Sequence, residues 1–281
     1  MFRSITLCAL LLATSFATCH AGTSKDQLIE KLIVATGMDA VIEGFPDQMV
    51  ARIEQQPARV RDAESDQFMN RVFVESFDVE VARHIMIASV DRGASVASLE
   101  KMLAWFETPL AQRLIAAENS IARAETDGSL WQFAQSLQAN PPTGQRIALI
   151  QDLEESAHMT ESAMILMEMS TRGMLEAMNS ILPPEDGFAL GDIETQIDTM
   201  RPALRDATWQ KMLLISHFAY RHFSNEDIRA YISFLDSELG QQYVELGVVA
   251  YMDVFSDYVG KVAAKLRIAT LKAHSPTGPV F

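Results

Sequence analysis

Leu28, Ile29, Leu32 and Ile33 recur at helical spacing, Gly37 interrupts them, and Met38, Val41, Ile42 and Phe45 resume the pattern. That periodicity predicts an amphipathic helix, a break at the glycine, and a second helix. Ser24 stands three residues ahead of Gln27, the pairing of a capping box, in which two side chains satisfy orphan N–H groups at a helix start. The longest apolar stripe comes last: Val244, Val248, Tyr251, Phe255, Tyr258, Val262 and Leu266 follow one another at spacings of three or four. Such a stripe is the face a helix buries. It predicts either a central helix against which shorter ones pack or a pair broken near Gly260. Pro183, Pro184 and Gly187 break helical register and predict a connection over 181–187. No alternating apolar and polar run rich in β-branched residues persists. The expected fold class is therefore an all-α antiparallel helical bundle with no sheet.

The helical pattern is written twice. Residues 95–114 and 224–243 align 129 positions apart, pairing Ser95 with Ser224, Leu99 with Ile228, Met102 with Tyr231, Leu103 with Ile232 and Phe106 with Leu235. In each copy a serine caps a short helix. In the second, Asp227 completes the box, and acidic residues so near an amino end are favoured by the helix dipole. A corner follows, with Pro109 where a first helical turn tolerates it and, in the second copy, Gly240 where the next helix approaches closely. Upstream, residues 28–38 align with 149–159 at an offset of 121. The second copy therefore holds about eight extra residues, some of them in the 181–187 connection. The expected organisation is a first helical repeat over 22–140, a linker at 141–144, a second repeat over 145–272 and a flexible tail at 273–281. The two repeats are expected to share one core around a pseudo-two-fold axis, with two separate domains as the alternative.

The segment running from His222, Phe223, Ser224, Asn225, Glu226, Asp227 and Ile228 into Ile232, Phe234, Leu235 and the corner at Ser237, Glu238, Leu239 and Gly240 resembles the exported bacterial proteins that carry the uncharacterised domain DUF2059. The likeness is best over 205–260. Members of that family show an aromatic where Leu235 stands and a proline where Glu238 stands. The first copy keeps Phe106, Thr108, Pro109 and Leu110 but has Ala111 for the corner glycine. The resemblance implies a helical, exported protein with two tandem copies of the unit, and it brings no catalytic residue.

Residues 1–21 have the form of a secretory leader: Arg3, an apolar run from Ile5 to Ala17, and small residues at Cys19 and Ala21. The run is shorter than the roughly 20 apolar residues a membrane span needs, and Thr18 stands where a lipoprotein leader would carry glycine or alanine. Cleavage after Ala21 and residence in the periplasm are expected. Both cysteines, Cys8 and Cys19, lie in the leader, so the mature chain is expected to lack disulfides, thiolate nucleophiles and thiolate metal sites. A formal charge of −14 with no basic cluster opposes nucleic acid and anionic lipid.

Candidate chemistry is sparse. Six methionines fall between Met159 and Met178; thioethers bind soft ions such as Cu(I), but Met167, Met174 and Met178 lie at core spacing, and methionine fills irregular core gaps. His217 and His222 are five apart and point in different directions on one helix; a site joining His222 to Glu226 or Asp227 is not required by the spacing. No Gly-x-Ser-x-Gly elbow, His-Glu-x-x-His helix or glycine-rich phosphate loop occurs. No catalytic residue, metal ligand or cofactor is therefore assigned. The expected role is a non-catalytic binding or structural module of the cell envelope, its partner an envelope protein or an apolar small ligand, with no nucleic acid and no integral membrane segment after leader cleavage. A small-molecule, lipid or peptide carrier with an inter-helix groove, and a hydrolase-like enzyme with an unrecognised site, are the alternatives. Tyr220, Tyr231, Phe234 and Tyr251 are the residues expected to line such a groove.

Overall fold

The structure, a computed structural model, describes residues 23–54, 63–179 and 190–274. The expected leader, the connection at 181–187 and the tail beyond His274 lie outside these. Among the described residues the chain forms thirteen α-helices and no strand: α1 Lys25–Ala35, α2 Met38–Glu54, α3 Ala63–Ser76, α4 Val79–Gly93, α5 Val96–Phe106, α6 Pro109–Asn119, α7 Ile121–Thr126 and α8 Ser129–Ala139 in the first half, then α9 Gly144–Ser156, α10 Met159–Asn179, α11 Leu190–Ala219, α12 Asn225–Leu235 and α13 Glu238–His274. None is long and apolar enough to cross a membrane.

The local signals act as expected. Ser24, Ser95 and Ser224 each cap a helix through a complete capping box, with Gln27, Ser98 and Asp227 as the returning partners. Pro109 sits in the first turn of α6 behind the Thr108 cap. Gly37 breaks the chain between α1 and α2 with φ +72°, and His158, 121 positions on, turns the chain between α9 and α10 with φ +50°. That left-handed region is open to glycine and uncommon for a side chain, so the same turn is made cheaply once and at a cost once. At the end of the chain α13 is one helix of 37 residues that passes through Gly260 without a break.

The two halves pack in the same internal order. In the first, α1 lies against α4 and α5; in the second, α9 lies against α11 and α12. The amino ends of α1 and α9 are tied down alike. Lys25 Nζ donates to the Asp91 carbonyl at 2.6 Å, and Arg146 Nη2 donates to the Tyr220 carbonyl at 2.6 Å. Position 146 is 121 beyond 25, and position 220 is 129 beyond 91, the two offsets at which the halves align. The largest apolar cluster draws on both halves, from Ile29, Leu32, Leu99 and Phe106 to Ile150, Leu153, Ile228 and Leu235. At its centre the rings of Trp105 and Phe234, 129 positions apart, stack at 3.8 Å with an 11° interplanar angle.

The halves diverge after their last shared corner. α13 continues along α10, α4 and α3, whereas the first half stops at Asn119 and folds back as α7 and α8, which cover Leu214, Ile215 and Phe218 of α11. α13 is thus buried on more than the single stripe expected: Leu246, Ala250, Val254, Tyr258, Val262 and Leu266 are all interior.

Candidate functional site

Glu118 sits at the end of α6 in the register of Leu114 and Ile115, where the helix presents its apolar face. Its Oε1 accepts the Tyr220 hydroxyl at 2.6 Å and the Tyr231 hydroxyl at 3.0 Å, so one carboxylate of the first half holds two tyrosines of the second. Burial raises the carboxyl above its ordinary range, and the two phenolic hydrogen bonds pull it part of the way back. Burial, followed by the charge of Glu118, pushes the phenols of Tyr220, Tyr231 and Tyr243 up. The rings around this group are closely packed: Trp105 on Tyr231 at 5.6 Å, Phe106 on Tyr243 at 4.7 Å and Tyr220 on Tyr231 at 6.2 Å.

The residues expected to line a groove therefore lie in this interior. Tyr220, Tyr231 and Phe234 are buried and Tyr251 is half-buried against the same cluster. The fold brings the first three together around Trp105 and Glu118. Tyr251, on α13, is raised by burial, with Asp39 of α2 adding to the shift.

Around the carboxylate the remaining polar groups brace the scaffold. Arg146 Nη1 reaches the Phe223 carbonyl at 3.1 Å and Asn225 Oδ1 at 3.0 Å, so with Tyr220 its guanidinium spans the turn from α11 to α12. Burial lowers its pKa, and burial followed by the charge of Arg146 lowers that of His217. His222 is exposed, and Asp227 serves the α12 cap and pairs with Arg113 at 3.1 Å. Ser89 and Arg92 of α4 both donate to Asp253 Oδ2 of α13 at 2.5 Å. Among the described residues no group of three or more His, Cys, Asp and Glu side chains could hold a metal. In the methionine-rich segment, Met164 is buried, Met159 packs against the core and accepts from the Ser216 hydroxyl at 3.6 Å, and Met167 and Met169 are half-buried. The side chains of Met174 and Met178 lie outside the described set.

An open groove of about 570 Å³ runs between α10 and α13. Ser156 and His158, just before α10, meet Gln241 near the start of α13, and farther along Gly173 meets Val259. The two helices therefore run in the same direction. Phe255, Val259 and Ala263 form one wall, Met169 and Gly173 the other, and Arg172, Glu176 and Arg267 stand at the edges. A second depression of about 500 Å³ lies beside α8 under the exposed Trp131.

Sequence reasoning did not single out Glu118, Arg146 or the α10–α13 groove. Glu118 left a signal, a carboxylate at a core register after Leu114 and Ile115. Arg146 left another, since it aligns with Lys25 across the two halves. In comparisons with known proteins, no family model, curated protein or solved structure matches this chain.

Proposed function

We propose that this chain is an exported, non-catalytic binding module of the bacterial cell envelope, built from a duplicated helical unit whose two copies share one core. The observation that carries the non-catalytic role is a separation in space. The carboxyl of Glu118 and the phenols of Tyr220, Tyr231 and Tyr243 around it, all raised in pKa, are packed in the aromatic interior, while the groove between α10 and α13 is lined by other residues, among them Arg172, whose hydrogen bond to Glu194 holds it in its charged form. In enzymes, perturbed acids and bases gather in the cleft that receives substrate. Here the perturbed carboxylate bonds across the two halves, the position of a structural brace.

Duplication is supported by equivalences that recur at the two sequence offsets: the Lys25 and Arg146 clamps, the Ser95 and Ser224 capping boxes, and the positive φ at Gly37 and His158. A residue on a two-fold axis meets its own counterpart, as Trp105 meets Phe234. Export rests on the leader pattern of residues 1–21, and the resemblance to DUF2059 proteins over 205–260 agrees with it. The groove favours a small-molecule carrier over a docking module, because its volume falls within the roughly 300–1,000 Å³ typical of small-ligand pockets.

Native mass spectrometry of the protein isolated from the periplasm tests this. The expected species is the chain beginning at Gly22 with a small molecule attached, and Glu118→Gln is expected to leave both unchanged. A ligand-free chain that crosslinks reproducibly to one envelope protein in intact cells would replace the carrier with an adaptor. A folded Glu118→Gln protein that loses a turnover shown by the native protein would overturn the non-catalytic role.

A further inference from the structure

Resting on the reading of the α10–α13 groove as a ligand site, we propose that it takes an amphiphile with a single linear apolar chain and one negative charge, a long-chain carboxylate. The groove follows α13 from Phe255 to Arg267, about 18 Å at 1.5 Å per residue, so its shape suits a chain rather than a compact ring system. Its walls are hydrocarbon and thioether, from Phe255, Val259, Ala263 and Met169.

The charge at the edge decides the headgroup. The chain has 37 acidic and 23 basic residues, and described arginines such as Arg83, Arg92, Arg113, Arg201 and Arg205 are paired with carboxylates. At the groove, Arg172 is paired with Glu194 at 2.8 Å, and the charge of Glu176 at the same edge also acts on Arg172. Arg267 is exposed and, among the described residues, has no carboxylate within ion-pair distance. Within a strongly acidic protein the far end of an apolar slot therefore presents an exposed guanidinium with no carboxylate partner among the described residues, and its planar fork fits a carboxylate.

Gly260 adds an observation of a different kind. A glycine inside a helix costs about 1 kcal/mol relative to alanine, and its neighbours give no packing reason for it: a Cβ there would meet nothing within 4 Å. On the opposite helix a Cβ at Gly173 would come 2.2 Å from Val259 Cγ1. Gly173 is thus required by helix packing, whereas the space over Gly260 belongs to the open groove.

The test uses the mature protein, with hexadecanoate and hexadecan-1-ol as probes and isothermal titration as the readout. Hexadecanoate is expected to bind one to one and at least about tenfold more tightly than the alcohol, and Arg267→Gln is expected to remove that preference, as loss of a charge-assisted bond does. Gly260→Leu, whose Cβ would meet nothing within 4 Å and whose side chain would enter the groove, is expected to abolish binding while the melting temperature stays at or above that of the native protein. Equal binding of acid and alcohol, both lost in Gly260→Leu, would overturn the carboxylate preference and leave the groove as a site for neutral chains. Hexadecanoate binding unchanged in Gly260→Leu would overturn the location. No binding of either probe would overturn the proposal together with the carrier role on which it rests.

Discussion

Glu118 shows what a single misplaced polarity does. A carboxylate on the apolar face of α6 must be satisfied or neutralised, and Tyr220 and Tyr231 satisfy it from 102 and 113 positions away. Its protonation couples to folding. The carboxyl lies above its ordinary 4.5 in the folded protein, so the folded state holds the proton more tightly than the unfolded chain. Stability from this group is therefore fully present below the unfolded value and falls as pH rises through the raised folded one. Glu118→Gln keeps an acceptor for both phenols and removes the titration. In urea unfolding followed from pH 4 to pH 8, the variant is expected to gain stability relative to the native protein as pH rises; a difference that stays flat across that range would contradict the buried, raised carboxyl. Two of the three glycines of α13 give a second test at this scale. A Cβ at Gly240 would lie 2.0 Å from the Phe234 carbonyl oxygen, so Gly240→Ala is expected to cost about 2 kcal/mol or more by overpacking. Gly260→Ala is expected to stabilise by up to about 1 kcal/mol. Thermal melts of the two variants should shift in opposite directions. Sequence could reveal Gly240 as part of a corner because it falls where two helical patterns meet, in the first turn of α13, but nothing local distinguishes the open space at Gly260.

At the scale of elements, what was legible was what is local. Capping boxes, Pro109 and the glycine break at Gly37 act through neighbours within four residues, and these features occupy their expected places. The pairing of elements had no local signal, and only the two sequence offsets, 121 and 129, bear on it, because aligned offsets carry information that no single helix holds. The Lys25 and Arg146 clamps show the consequence. Arg146 bonds two carbonyls and an amide oxygen and is partly buried, so Arg146→Ala is expected to cost about 2 kcal/mol. Arg146→Lys is expected to recover only part of that, since an ammonium cannot span the three acceptors as a planar fork does. Chemical denaturation of the two variants beside Lys25→Ala compares the contributions of the two clamps. The aromatic stack offers a cleaner measure of contact between the halves. A double-mutant cycle on Trp105→Leu and Phe234→Leu is expected to give a coupling of about 0.5–1.5 kcal/mol, and a coupling near zero would mean the stack contributes no more than its separate burials.

The arrangement of the whole molecule was least legible, because a shared core and two separate domains demand the same helices. The bonds that cross between the halves discriminate. Glu118 holds Tyr220 and Tyr231, Arg113 pairs with Asp227, Gln242 donates to the Gly93 carbonyl at 3.2 Å, and Asp253 accepts from Ser89 and Arg92. Two of these occupy related positions. Arg113 of α6 reaches the start of α12 and lies over Phe223, and Gln242, 129 positions on, reaches the carbonyl of Gly93 at the end of α4. Reciprocal contacts of this sort are what a duplicated unit folded about a two-fold axis would make, and the proposed duplication makes the connection at 140–143 the covalent link between its copies. That connection lies at the surface, and Asn140, Pro141 and Thr143 are exposed. A protease site placed there should be cleavable without loss of structure, since the apolar cluster and the crossing bonds do not pass through it. After cleavage the fragments are expected to elute together and to unfold in a single transition whose midpoint falls with dilution, as a bimolecular complex requires. Fragments that separate under native conditions, or that melt in two transitions independent of concentration, would show that each half holds its own core and that the Trp105–Phe234 stack is a contact between neighbours rather than the centre of one fold.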